Sequence, residues 1–361
     1  MENQQRINEL LQKFHKLGDE IAALDVAQSS FKVGINSFYG VLGLAHFRYY
    51  DYRLAEAVTS TGQVFIKKTM QYTNEILNKI LKTDSDYVLA SDTDSVYFQV
   101  QLLVDRICKD KPKHEIVNTL EKFVFDVLQP ALNKKLTIFA KTMGISDCKI
   151  FYKLECIGDA IIFVAKKRYA FDILYSEGVR YAEPKMKVMG IEIVRSSTPN
   201  VVKSYLRESL ALCLRTNEST LQAKVREVKT SFMKEPYWNI SFPRGINGMT
   251  TYSDSASIYK KGCPIQVRGA LVYNHTLARL GIDSKYPTIS DGDKVKFVAL
   301  KMPNPLHENI IAFPSKLPSE LGLEKFIDYK VQFQKAFVAP LENILEAIGW
   351  EAEETVKLDF E

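Results

Sequence analysis

At 361 residues the chain is long enough for two or three domains, and 46% hydrophobic with 25% charged residues is an ordinary globular balance with material for a core. A formal charge of +5 is too mild to identify nucleic acid as a partner by itself; a local basic track carries more weight. The five scattered cysteines, with no CxxC pair, exclude a disulfide framework and a cysteine zinc site and fit reduced thiols in a cytosolic setting, while the sequence shows neither a membrane-length apolar run nor a signal-peptide stretch at Met-Glu-Asn-Gln-Gln-Arg.

Ile7, Leu10, Leu11, Phe14, Leu17 and Ile21 recur at helical spacing and predict an amphipathic helix over 3–24. A second helix over 25–39 carries Gln28, Lys32 and Asn36 on one face, with Gly40 as its left-handed cap. Such a polar stripe is ordinarily a solvated face. Here it leads into Asn36-Ser37-Phe38-Tyr39-Gly40, Gly43 and Phe47-Arg48-Tyr49-Tyr50-Asp51, where glycines and aromatics suggest tight packing around a bulky partner. Residues 52–81 are helical again, with Leu54, Val58, Val64, Ile66, Met70, Ile76, Leu77 and Ile80 as core candidates.

Tyr87-Val88-Leu89-Ala90-Ser91-Asp92-Thr93-Asp94-Ser95-Val96-Tyr97 reads as two short strands around a tight turn. Paired aspartates at the tip of a buried hairpin repel one another and resist desolvation, and a hard cation such as Mg²⁺ relieves both costs. The plain alternative is a solvated Asp-rich turn.

Gln28-x-x-x-Lys32-x-x-x-Asn36-Ser37-x-Tyr39-Gly40, followed in order by Asp92-Thr93-Asp94-Ser95, resembles the second and third motifs of the family B DNA polymerases. The Phe47-Arg48-Tyr49-Tyr50-Asp51 block is similar to the version in T-even-type bacteriophages, and further blocks extend the resemblance over nearly the whole chain. It implies an α+β fold: part of the helical fingers (1–50), a palm with an antiparallel β-sheet flanked by helices (51–195), a mostly helical thumb (196–350) and a C-terminal tail (351–361). It implies two Mg²⁺ ions, with Asp94 a direct ligand and Asp92 an acid just behind it; the residue chemistry alone does not rank the two. It also implies that Lys32 and Asn36 face the nucleoside triphosphate and that Tyr39 lies on the minor-groove side of the new base pair.

Residues 115–143 read as helix, with Pro130 kinking or dividing it, and residues 150–157 alternate as a strand. Glu155 matches a family acid near the metals, but Lys153 stands where a second acid is usual, so a plain strand-edge glutamate is an equal reading. Lys166-Lys167-Arg168-Tyr169-Ala170 matches the primer-binding motif: three adjacent cations repel unless an anion approaches, and a phosphate backbone beside an aromatic meets that need. Tyr181-Ala182-Glu183-Pro184-Lys185 and Met189-Gly190-Ile191-Glu192 continue the phage-type match.

Thr198 and Pro199 read as cap and first turn of a helix carrying Val202, Leu206, Leu210 and Cys213. Ser219-Thr220-Leu221-Gln222 reads as a capping box before Leu221, Val225, Val228 and Phe232. Phe242-Pro243-Arg244-Gly245 and Lys260-Lys261-Gly262 onward to Arg268-Gly269 read as DNA-facing loops, with Arg268 a candidate contact. Asp291-Gly292-Asp293 reads as a plain turn before a strand at 295–300, and a last helix is expected at 324–347 with Pro340 inside it. At the end, Leu358 and Phe360 resemble a sliding-clamp-binding peptide; a frayed tail is the even alternative.

The family's exonuclease and its first palm motif, Asp-x-x-Ser-Leu-Tyr-Pro, find no match in the chain. The expectation is therefore the C-terminal subunit of a split DNA-directed DNA polymerase, working in the cytoplasm of an infected bacterium. It would act on primer-template DNA and dNTP once a chain bearing motif A and the exonuclease completes it in trans. The alternative is a non-catalytic nucleic-acid-binding remnant. A truncated chain would begin with the same residues, and the sequence does not separate that case from a natural split.

Overall fold

The computed structural model describes residues 2–353, which form two compact units: residues up to 111 with 122–153, and residues 112–121 with 154 onward. The fold is α+β.

In the first unit, α1 (Glu2–Leu42) is one helix of 41 residues. The two helices expected at 3–24 and 25–39 are continuous, because Ala22-Ala23-Leu24-Asp25-Val26-Ala27 contains neither glycine nor proline to interrupt the ladder. Gly40 lies within this helix, so its expected role as a left-handed cap is not realised; the chain turns later, where the Asp51 amide donates to the Leu42 carbonyl. The apolar residues of α1 as far as Tyr39 are exposed, Phe14 at 72%.

Helix α2 (Tyr52–Leu81) starts on Asp51, whose carboxylate accepts from the Arg53 amide at 2.9 Å, and ends on Lys82 in the left-handed region. Its inward stripe is Phe65, Thr69, Thr73, Ile76, Leu77 and Leu81. Leu54, Val58, Val64 and Ile80, expected in the core, are exposed. Two threonines displace them because a helix can satisfy a buried hydroxyl itself: Thr69 Oγ1 donates to the Phe65 carbonyl at 2.8 Å.

Strands β1 (Val88–Asp92) and β2 (Ser95–Phe98) pair antiparallel and are followed by the short helix α3 (Gln101–Ile107). Helix α4 (Lys113–Phe123), whose residues up to Glu121 belong to the second unit, is followed in sequence by a widened turn, Val124–Leu128, and α5 (Gln129–Thr142). The Gln129 amide donates to the Val124 carbonyl, one residue further back than in an α-helix, and Pro130 follows. A proline ring strikes the carbonyl of residue i−4, and widening the turn removes the clash without breaking the rod. On this unit's core face Phe65 of α2 meets Phe139 of α5 edge to face, centroids 5.5 Å apart.

Residues 151–155 alternate outward and inward, but the segment 150–155 forms no ladder and the strand begins at Cys156. Asn133 of α5 takes the place of a neighbouring strand at Tyr152: its carboxamide accepts from the Tyr152 amide at 2.9 Å and donates to the Tyr152 carbonyl at 3.1 Å.

In the second unit, β3 (Cys156–Ala165), β4 (Arg168–Ser176) and β5 (Val179–Met189) form an antiparallel meander, with Pro184 tolerated on the edge strand. Helices α6 (Asn200–Arg215) and α7 (Glu218–Phe232) cover it, and Val202, Leu206 and Leu210 pack with Val225, Val228 and Phe232 in one core. Both helix starts differ from expectation. Thr198 is buried with its hydroxyl donating to the Glu192 carbonyl, which leaves Pro199 at the cap; Asn217, not Ser219, caps α7 by accepting from the Thr220 amide at 3.1 Å.

Next come α8 (Tyr237–Ile240), β6 (Phe242–Gly245), α9 (Met249–Tyr252), the β7 (Ser253–Asp254) and β8 (Ile258–Tyr259) pair, and α10 (Ile265–Leu280). Strands β9 (Lys294–Ala299) and β10 (Ile310–Phe313) complete a second sheet in the order β10-β9-β6. Helix α10 packs on this sheet so closely that a Cβ at Gly269 would stand 2.8 Å from the Ala312 amide nitrogen. Residues 242–245, read as a loop, are thus an edge strand, and 265–269 are helical. Asp291-Gly292-Asp293 is a turn as expected, its carboxylates accepting from the amides of Met249 and Ser290. The last helical stretch repeats the proline device: α11 (Tyr329–Phe333), a widened turn Gln334–Val338, then α12 (Ala339–Leu345) with Pro340 in its first turn.

Candidate active site

Asp92 pairs with Ser95, so the turn of the β1–β2 hairpin is Thr93-Asp94. Thr93 sits in the left-handed region at φ 55°. The tip is tied locally: the Asp94 amide donates to the Asp92 carbonyl at 2.7 Å, Ser95 Oγ donates to the same carbonyl at 3.0 Å, and Thr93 Oγ1 reaches Asp92 Oδ1 at 3.1 Å. Asp92 is half-buried and Asp94 exposed, so the tip meets solvent rather than lying buried as expected. In the same unit the Tyr152 phenol is pushed up by burial; a hydrogen bond with Thr69 works against that shift and the Asp94 charge adds to it. Asp94 therefore lies within electrostatic reach of Tyr152.

These two carboxylates offer the hard oxygen donors that Mg²⁺ prefers, but they cannot fill a six-oxygen shell. Among the described residues no group of three or more His, Cys, Asp or Glu side chains gathers as a metal site. The donor chemistry fits; the donor number is partial.

Lys32, Asn36 and Tyr39 stand exposed on α1. Because α1 is unbroken there, Lys32 and Asn36 share one helix face as expected. Both α1 and the hairpin border α2 in the first unit.

The basic motif belongs to the second unit and divides in two. Ala165 pairs with Arg168, which leaves Lys166-Lys167 as a two-residue β3–β4 turn, exposed, with Lys167 at φ 61°. Arg168 is turned to Glu192, its Nη2 donating to both carboxylate oxygens at 2.9 Å. Tyr169 is 6% exposed and packs beside Phe163, so its ring is core rather than an aromatic platform for a primer. Glu155 pairs with Lys187 at 3.1 Å on the open side of the sheet. Arg268 lies in the first turn of α10, where it donates to Asn309 Oδ1 at 2.6 Å and lies over the Tyr259 ring. Leu358 and Phe360 fall outside the described residues.

Glu192 and Gly190 both stand in the Met189-Gly190-Ile191-Glu192 block, where the sequence alone gives them no role. A glycine directly after a strand was the available signal for a close backbone approach.

The DNA polymerase family B profile matches residues 1–348. The chain is 34% identical over 348 residues to the DNA-directed DNA polymerase of Enterobacteria phage T4, covering 92% of this chain and 38% of that protein. It is 33% identical over 370 residues to that of Escherichia phage RB69, covering 98% and 39%. The DNA polymerase 1 of Pyrococcus abyssi is 23% identical over 356 residues, covering 98% and 38%. The chain thus spans less than two-fifths of the length of these relatives. No helix among the described residues is long and apolar enough to cross a membrane. With a family match over almost its entire length and these phage polymerases as relatives, the chain belongs to DNA polymerase family B.

Proposed function

We propose that this chain carries part of the catalytic centre of a template-directed DNA polymerase serving viral replication in an infected bacterium. In the reaction the primer 3′-hydroxyl gives up its proton to water as its oxygen attacks the α-phosphorus of a dNTP, the bond to the β-phosphate breaks, and pyrophosphate leaves. Asp94 and Asp92 would hold the cations. When bound, two Mg²⁺ ions supply Lewis acidity at the attacking and leaving oxygens. Lys32 Nζ and Asn36 Nδ2 donate to triphosphate oxygens, which suits a cation and an amide on one face. Tyr39 lies along the minor-groove edge of the new pair, where correct pairs present similar acceptors. Lys166 and Lys167 neutralise primer phosphates. In this reading the remaining acid comes from a second polypeptide bearing the family's first motif and the exonuclease.

The observation that carries the reading is the exposed Asp92-Thr93-Asp94 hairpin tip in a family B chain. The partial donor set and the exposed apolar residues along α1 support the second polypeptide, since large uncovered apolar surface marks interaction sites. The test is primer extension by the chain with and without the polypeptide carrying the remaining family segments. Negligible extension alone and template-directed extension together are expected; extension by the chain alone removes the need for a partner. In the working complex Asp94→Ala should lower kcat by on the order of 10³, about 4 kcal/mol, and leave duplex affinity within about twofold. Retained extension overturns the metal assignment, and a complex that binds duplex but never extends favours the non-catalytic alternative.

A further inference from the structure

We propose that Glu192, Gly190 and Arg168 form a brace that positions the Lys166-Lys167 turn, so that the two lysines carry the phosphate contacts and Arg168 acts as a positioning residue. This rests on the reading of that turn as the primer contact.

The turn needs such a brace. Lys167 is held at φ 61°, a conformation that L side chains with a Cβ adopt at a cost. Strand register puts Met189 opposite Tyr169, and Gly190 follows at φ 64°, beside Arg168. A Cβ on Gly190 would stand 2.2 Å from the Lys167 carbonyl oxygen and 3.1 Å from Arg168 Cγ. Only glycine fits there, and the backbone after β5 thus lies directly against the turn.

Two residues on, Glu192 receives both of its bonds from Arg168 and a third contact from Arg195 Nη1 at 3.4 Å. The Glu192 backbone is held in turn by Thr198, whose hydroxyl donates to its carbonyl at 2.8 Å. The Arg168 and Glu192 side chains are only 26% and 16% exposed, and Arg168 Nε is buried. Swinging this guanidinium out to a phosphate would strip a half-buried carboxylate of its main partner, whereas Lys166 and Lys167 are exposed at the tip. The arginine therefore fixes where the lysines are, from the strand end of the same turn.

The test is the salt dependence of primer-template duplex binding by the full chain, read by fluorescence anisotropy. The slope of log Kobs on log salt changes by about 0.9 for each phosphate contact. Lys166→Ala and Lys167→Ala should each reduce the slope by about that amount. Gly190→Ala and Glu192→Gln should reduce it in the same direction and weaken binding about five- to tenfold. Gly190→Ala added to the Lys166→Ala/Lys167→Ala double variant should change little further. Gly158→Ala is the folding control: its Cβ would meet Phe171 Cε2 at 2.0 Å in the same sheet, away from the turn, and the slope should remain that of the parent. Trypsin cleavage after Lys166 and Lys167 should accelerate in Gly190→Ala and Glu192→Gln.

A parental slope in Gly190→Ala and Glu192→Gln, or a further slope loss on adding Arg168→Gln to Glu192→Gln, overturns the brace. If instead the lysine variants keep the parental slope while trypsin cleavage still accelerates, the primer-contact reading fails and the brace remains only as a feature of the fold.

Discussion

Asp172 sits on β4 at 1% exposure and accepts from Arg215 Nε at 2.5 Å and Nη2 at 2.9 Å, while Nη2 also donates to the Pro184 carbonyl at 3.0 Å. The hydrogen bond with Asp172 raises the pKa of Arg215, which holds the guanidinium in its charged form. One arginine thereby joins strands β4 and β5 to the end of α6. Removing one partner of a buried pair leaves the other uncompensated. Because the Arg215 left behind is 41% exposed and water can solvate it, Asp172→Ala should cost less than breaking a fully buried pair, about 2 kcal/mol. Urea unfolding measures this, and a loss below about 1 kcal/mol would mean that solvent replaces the pair. Neither residue stood out in the sequence, where an aspartate within Ala170-Phe171-Asp172-Ile173 is indistinguishable from an exposed strand position. The hairpin turn at Asp92-Thr93-Asp94 was legible because its residues are adjacent in the chain; the Arg168–Glu192 pair was not, because its partners meet only through strand register.

Helices in this chain are placed by local chemistry, but their ends are decided by competition. Ser219 and Asn217 both offer side-chain oxygen near the start of α7, and Asn217 wins: its Oδ1 accepts from the Thr220 amide and from the hydroxyls of Ser219 and Thr220. Asn217→Ala should therefore lower stability by about 1 kcal/mol, and Ser219→Ala by no more than a few tenths. Thermal melts of the two variants side by side give the answer, and a reversed order would return the cap to Ser219. The widened turns before Pro130 and Pro340 show the same interplay. Proline position was readable, but whether the helix would break or widen depended on the buried residues of that turn, Val124 and Leu128 in one case, Ala336, Phe337 and Val338 in the other.

Across the whole molecule, burial also sets the response to alkali. The Cys213 thiol, on α6, lies in the core that this helix shares with the β3–β5 sheet, where burial pushes its pKa up to about 12, and burial raises Cys156 to about 11. Unfolded thiols ionise near 8.5, so between that value and the folded one the unfolded chain holds fewer protons. Stability should therefore fall as pH rises from about 8 to 10, and Cys213→Ala should flatten the fall. Urea midpoints across that interval test it; a pH-independent midpoint would place Cys213 in contact with solvent.

The family, the α+β class, the acidic hairpin and the apolar faces of α6 and α7 were determined by the sequence itself, because each depends on residues close together along the chain. Tertiary structure alone decided that Thr69 and Thr73 line the inner face of α2 while Leu54, Val58, Val64 and Ile80 stay exposed, that Phe242–Gly245 is an edge strand, and that Arg168 and Tyr169 turn inward while their lysine neighbours stay out. The physical reason is common to all of these. A residue type sets what a side chain can bond to, but only the register of strands and the packing of distant segments determine which partner arrives.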